Sequence, residues 1–243
     1  MMGRTARALM LFTVMMSVGV AAAAQAQTVD AAIARHVASK GGADKWKSIQ
    51  TQRMTANGAA GGANFVLVIN SKRPNLGRHD VTVDIPGQGP LAIVNIFDGT
   101  RAWTINPMLG GTAPQEVVGP EAASMRTQSD FDGALFDYKA RGTTVRFIGS
   151  ETVGTRKVDH LEVTPKDGPT AQYYLDVETG VELKIEAGDS LGTVVELSNH
   201  RSVDGILMPQ LIRVSQGGQV VSEVHVTDVG FNVPMDDAMF RVK

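Results

Sequence analysis

The chain has 243 residues, with 23 basic and 25 acidic side chains, a formal net charge of −2 and no cysteine. That balance leaves no basic face for nucleic acid or for an anionic membrane surface. Without cysteine there can be no disulfide, no thiolate metal site and no N-terminal thioether lipid, so stability has to come from a packed core.

The first element is a leader. Arg4 and Arg7 precede the apolar run "ALMLFTVMMSVGVAAAA", and Ala24-Gln25-Ala26 supplies a small-x-small cleavage pattern. Thr13, Ser17 and Gly19 dilute the run, which favours a signal peptide cleaved after Ala26 over a membrane anchor. The expectation is export of about 217 residues, 27–243, as one domain. Because both leader arginines leave with it, 21 basic face 25 acidic residues, near −4.

A helix follows. In "TVDAAIARHVASKGG", Val29, Ile33 and Val37 recur every fourth residue, with Ala32 and His36 beside them, and Gly41-Gly42 ends the stripe. A shorter turn, "ADKWKSI", places Trp46 and Ile49 on one side. From Ile49 the period becomes two. Strands are predicted over 49–57, 63–71, 76–85, 90–97, 101–106 and 143–149. They continue over 157–164, 170–177, 181–187, 193–203, 207–215 and 219–229. Turn sequences such as "NGAAGG", "KDGPT" and "SQGG" separate them, the pattern of an antiparallel meander rather than of βαβ units. Between the two groups, Gly119 to Gly133 lacks alternation, and Pro120 stands where a helix starts. The chain thus reads as mainly β, with an N-terminal helix and a short mid-chain helix.

Alternation also sorts faces. Val220, Ser222, Val224 and Val226 share one side of the last strand, and Val221, Glu223, His225 and Thr227 the other. "GANFVLVI" and "GPLAIVNIF" are apolar on both faces, which predicts cover on both sides. At the end of the second strand, "NSKRPNL" puts Lys72 and Arg73 before Pro74, which holds Arg73 extended at a rim. Edge protection accounts for such charges by itself.

No catalytic pattern is present. There is no G-x-S-x-G elbow, P-loop, strand-linked G-x-G-x-x-G or H-E-x-x-H. The five histidines are scattered, so no metal or other cofactor is expected. His160 and His225 read as solvent-facing, and His36 as packed or at a rim. Asp130, Asp132 and Asp137 lack the closing glutamate of a calcium loop. Asp98, Asp167 and Asp204 read as turn residues.

"SKRPNL" followed by "IFDGTRAWTINP" resembles the LolA-like family of periplasmic outer-membrane lipoprotein carriers. "VTPKDGPTAQYYLDVETGVELKI" is similar to a strand pair of that family. "NHRSVDGILMPQLIRV" and "VGFNVPMDDAMFRV" resemble the broader group of outer-membrane lipoprotein-sorting proteins. The resemblance implies an antiparallel sheet curled into an incomplete, half-open barrel, with helices as a lid over an apolar concavity. It implies that Arg73 latches the lid by bonding to helix carbonyls, and that Trp103 matches the family's strand tryptophan. The lining would come from Phe65, Leu67 and Ile69, or from Val66 and Val68. Gly77 and Arg78 depart from the aromatic and polar residues that usually follow the K-R-P-N-L turn.

The implied cargo is a lipoprotein's acyl chains or another lipid. The implied partners are an inner-membrane release complex and an outer-membrane acceptor, for a monomeric, non-catalytic periplasmic shuttle. Two other readings stand beside it: a periplasmic sensor module on the same fold that recognises a lipidated or extracytoplasmic protein, and a secreted hydrolase with an unrecognised site.

Overall fold

The computed structural model describes residues 28–85 and 87–242. The expected leader lies outside the described residues. Helix α1 (28–39) buries Val29, Ala32, Ile33 and His36, the predicted stripe, and ends where Gly42 N–H donates to Val37 O at 3.0 Å. Helix α2 (Ala43–Ser48) buries Trp46.

Six strands then run outward as antiparallel neighbours: β1 (Thr51–Ala60), β2 (Ala63–Lys72), β3 (Leu76–Ile85), β4 (Gly89–Phe97), β5 (Ala102–Ile105) and β6 (Gln115–Val117). Helix α3 (Gly119–Gln128) begins a long crossover. The chain re-enters the sheet at its opposite edge with β7 (Thr144–Val153), then β8 (Arg156–Thr164), β9 (Ala171–Asp176), β10 (Glu182–Glu186) and β11 (Val194–Ser198). A separate hairpin, β12 (Arg201–Val203) with β13 (Ile206–Met208), precedes β14 (Leu211–Gln216) and β15 (Gln219–Phe231).

The result is one antiparallel 13-stranded sheet, ordered β6-β5-β4-β3-β2-β1-β15-β14-β11-β10-β9-β8-β7. First and last strands pair at its middle, from Gln52↔Phe231 to Ala60↔Ser222. Edges β6 and β7 do not pair, so the sheet is an open half-barrel, mainly β, with an N-terminal helix and a short mid-chain helix.

Three differences from the sequence reading have local causes. The predicted strand 193–203 breaks at Asn199, whose φ of 54° is left-handed and cannot continue a strand. The predicted strand 207–215 divides around Pro209, which lacks a ladder donor. β6 has only three residues and no alternation to reveal it.

The crossover explains how an open sheet holds a core. It lies across the concave face from edge to edge. Ala122 and Met125 of α3 pack on Phe97, Ala102 and Val117 of β4–β6. Phe131 and Phe136 enter the central cluster with Trp46, Met54, Ala56, Val224 and Val226. Leu135 joins Val29, Ile33, Leu161, Val163 and Leu175 over β8 and β9. Each such fully buried side chain stabilises by roughly 1.5–3 kcal/mol. The strap is therefore firmly seated at its middle and far end. No residue of α3 is buried, so its first ten residues are held lightly.

On the convex face the C-terminal segment lies across β3. Phe240 is buried there, Arg78 Nη1 donates to Met239 O at 3.1 Å, and Lys72 pairs with Asp237. Cover on that side is partial, contrary to the two-sided burial expected for β2: Val66 is 45% exposed.

Two glycines allow the close approaches. At Gly180 (φ 74°) an added Cβ would lie 2.3 Å from the Arg35 carbonyl, so α1 could not rest on the β9–β10 turn. At Gly77 it would lie 2.2 Å from Ser129 Oγ, where α3 ends against β3. Gly77→Ala should therefore destabilise by about 1–3 kcal/mol through overpacking. Gly149→Ala, where nothing lies within 4 Å, should change stability by less than about 0.5 kcal/mol. Urea unfolding of both variants reads the difference; equal midpoints would mean that Ser129 is not held against β3.

Candidate functional site

The site follows from parity. Phe65, Leu67 and Ile69 pack toward the central cluster, so the odd residues of β2 face the concavity. Register carries that face across the sheet: Leu67↔Val81↔Ile93 and Phe65↔Val83↔Leu91 on β2, β3 and β4. These side chains are half-buried, unlike the fully buried core beneath the strap. They form a continuous aliphatic wall toward the hairpins at 60–63 and 85–89. Of the two linings the sequence leaves open, the structure points Phe65, Leu67 and Ile69 inward, and Val66 and Val68 to the other face.

Arg73 sits at the opposite end of β2, just beyond Lys72, and uses all three guanidinium nitrogens. Nε donates to Ile49 O at 2.7 Å, and Nη2 to Trp46 O at 3.0 Å. Nη1 donates to Asp132 Oδ2 at 2.7 Å. Both acceptors are carbonyls at the C-terminal end of α2; Trp46 O also accepts from Ile49 N–H at 3.2 Å, so the arginine fills its second acceptor position. The other oxygen of Asp132 accepts from Trp46 Nε1 at 2.9 Å. The Phe131 ring lies under the guanidinium, 4.5 Å from its carbon, and its centroid is 5.4 Å from that of Trp46. One side chain thus joins sheet, α2 and strap. Charge-assisted bonds of this kind contribute roughly 1.5–3 kcal/mol each before screening, and the Arg73 side chain is only 16% exposed.

Asp132 is the member that sequence reading misses. The sequence offers Asp132 only as part of an incomplete calcium loop in the non-alternating 119–133 segment, and 59 positions separate it from Arg73. Only the strap's path across the sheet brings them together. Trp103 lies elsewhere. It is paired with Ile96, on the face opposite Phe97 and Ala102, where its indole donates to Asp98 at 3.0 Å and Arg101 stacks at 4.8 Å. It lines neither the wall nor the arginine site, because a one-residue step along a strand changes face. His160 also departs from expectation: its Nδ1 is 2.6 Å from Glu151, its Nε2 is 2.8 Å from Gln172, and its ring stacks on Tyr174.

Two titratable regions flank the wall. Beneath α3, His79 and Asn95 continue the concave rows of β3 and β4 into a cavity of about 160 Å³. Below α1, Glu182 lies 4.0 Å from both His36 Nε2 and Lys40 Nζ. Burial acts to raise Glu182, but Lys40, His36 and His200 hold it below the usual carboxylate range. Burial pushes the Tyr173 hydroxyl up and lowers His36, His79 and His200. Among the described residues no group of three or more His, Asp or Glu could hold a metal ion.

The lowered histidines fix the sign of a pH effect. Their folded-state pKa lies below the unfolded value near 6.5, so the unfolded chain binds more protons between the two. Stability should hold above about pH 6.5, fall as pH drops below it, and level off beneath the folded pKa. Thermal unfolding between pH 8 and 5 tests this, and His36→Gln should flatten the slope. A melting temperature that rises on acidification over that range would contradict these burial effects.

No family model matches the chain, and no curated protein matches it. Solved structures do. A DUF1329 family protein from Desulfovibrio piger aligns over 88% of this chain and 97% of its own, at 16% identity and TM-score 0.61. An outer membrane lipoprotein-sorting protein domain from Vibrio parahaemolyticus aligns over 87% and 95%, at 16% identity and TM-score 0.60. A LolA superfamily protein from Nitrosomonas europaea aligns over 89% and 97%, at 16% identity and TM-score 0.57. The fold of this chain is LolA-like.

Proposed function

We propose that the protein is a non-catalytic periplasmic carrier that shields acyl chains of lipoproteins, or of another lipid, and delivers them toward the outer membrane. The observation that carries this reading is the half-buried aliphatic wall of β2–β4 beside a lid pinned by Arg73. The likeness of fold to proteins described as lipoprotein-sorting and LolA superfamily supports it. An acyl chain of about 15 carbons exposed to water costs on the order of 12 kcal/mol, at about 0.8 kcal/mol per CH₂. A wall that covers it removes most of that penalty. The predicted leader supports export, and an inner-membrane release complex and an outer-membrane acceptor are the partners such transfer requires.

In this mechanism the lid closes when Arg73 bonds to Trp46 O, Ile49 O and Asp132 together. Cargo on the wall competes with the strap for apolar surface. Loading therefore strains the arginine contacts, and the loaded, opened state returns its cargo when those bonds re-form. The free energy of closing the lid helps to expel the chain.

A second reading, a sensor module for a lipidated or extracytoplasmic protein, draws on another observation. Leu191, Val220 and Val221 are exposed on neighbouring hairpins, joined where Gly217 N–H donates to Leu191 O at 3.0 Å. In that case the hairpins, not the wall, would make the contact.

The two readings separate on variants of the mature chain, with a fluorescent fatty-acid analogue as cargo and lipid vesicles as acceptor. Leu67→Asp should weaken loading at least about tenfold, since it sets a carboxylate against the chain. Arg73→Leu should load normally but transfer about tenfold more slowly. Unchanged loading by Leu67→Asp would exclude the wall, and unchanged transfer by Arg73→Leu would exclude the latch.

A further inference from the structure

The wall is not apolar to its end. Moving along β3 toward the lid, Val83 and Val81 are followed on the same face by His79; along β4, Leu91 and Ile93 are followed by Asn95. At about 3.3 Å per residue, His79 stands roughly 13 Å from Val83. The two polar side chains are register partners, His79↔Asn95, and they floor the cavity of about 160 Å³ roofed by α3. From the roof come Ser124, Gln128 and Ser129. A hydrogen-bonding chamber therefore closes one end of an aliphatic track.

Much of its bonding capacity is unused. Asn95 Oδ1 accepts from Thr104 Oγ1 at 2.8 Å, and Gln128 Nε2 donates to Ser124 Oγ at 3.0 Å. Among the described residues, neither nitrogen of the His79 ring, nor the Asn95 amide nitrogen, nor the Ser129 hydroxyl has a protein hydrogen-bond partner. None of these unpartnered atoms is fully buried, so a water or a ligand group can reach each of them. These face a space large enough for about five water molecules, at roughly 30 Å³ each. It falls below the roughly 300–1,000 Å³ of a site for a whole ligand. It suits one polar group at the end of a longer molecule.

The charge around the cavity selects the kind of group. No lysine or arginine lines it, and its one charged lining residue is Glu121. Asp80, the charge that acts on His79, is on the other face, held by Arg78 Nε and Nη2 at 2.7–3.0 Å. Burial favours the neutral imidazole. A phosphate or carboxylate would meet no cation and one carboxylate, which disfavours it. An uncharged group with both donors and acceptors would find amide, imidazole and hydroxyl partners.

We infer that the chamber formed by His79, Asn95, Ser124, Gln128 and Ser129 binds the uncharged polar neck of an amphiphile (ester or amide carbonyls and free hydroxyls) while its acyl chain lies along Val81, Val83, Ile93 and Leu91. This inference rests on the carrier reading and adds to it a head-group preference and a direction of insertion, head beneath α3 and chain toward the 85–89 hairpin. It also accounts for the loose seating of α3, because a lightly held helix can lift to admit a head group.

Competition against the fluorescent fatty-acid analogue tests it, with three oleoyl probes and the mature chain. 1-Monooleoylglycerol should compete at least about tenfold better than methyl oleate, which lacks the hydroxyls, and better than oleoyl lysophosphatidate, which adds a phosphate. Asn95→Leu should abolish the preference for monooleoylglycerol while leaving methyl oleate unchanged. Gln128→Leu, on the exposed side of the roof, should reduce the preference without risk to the sheet. If the wild type binds all three probes alike, or prefers the phosphate, the chamber does not select a neutral head, although the carrier reading stands. If no probe competes and the analogue itself does not load, both readings fail together.

Discussion

The guanidinium of Arg73 is the point through which three parts of the molecule are held in one arrangement. The sheet supplies the arginine, the C-terminal end of α2 supplies the Trp46 and Ile49 carbonyls, and the strap supplies Asp132. Remove the arginine, and Asp132 keeps only Trp46 Nε1 as a side-chain donor, while Ile49 O loses this donor and Trp46 O keeps only Ile49 N–H. Unpaired groups in such surroundings are costly. The contacts share one side chain, so a change at Arg73 acts on sheet, α2 and strap together.

That dependence comes from topology. A meander whose first and last strands pair at its centre leaves two edges that face each other across a concavity. Only one connection, 118–143, can bridge them. It lies against three successive clusters, and only the middle and far clusters bury its aromatic and leucine side chains. The strap is consequently seated unevenly. Phe131, Leu135 and Phe136 anchor it, α3 overhangs, and the half-covered stretch of sheet from β2 to β4 is the aliphatic wall. A closed barrel of the same strands would have no such asymmetry and no wall open to a cargo.

Much of this is legible in the residues. The Val29–Ile33–Val37 stripe, the hairpin series and the shared face of Val224 and Val226 follow from period alone, because burial on one face imposes it. Arg73 is marked by Pro74 and by the resemblance of its turn to a known family. What escapes such reading is whatever depends on distant parts of the chain meeting. Asp132 stands in a segment that reads as a short helix, and nothing near it announces an arginine. Trp103 lies on the wrong face for a site role, and its motif says nothing of parity. His79 and Asn95 look like ordinary strand residues until the β3–β4 register sets them side by side. Gly77 stands out as a departure from the family's pattern, and the structure supplies the cause: Ser129 occupies the space that a side chain would need.

The central claim is that the wall beside the Arg73-pinned lid carries acyl chains. Native mass spectrometry of residues 27–243, purified gently from the organism that makes it, tests that most directly. The account predicts a discrete adduct that dissociates as an acylated species, and its loss from a variant carrying a charge on the wall. A bare polypeptide mass, with no adduct even after incubation with lipid, would contradict the account and leave Arg73 as a charged guard on a sheet edge.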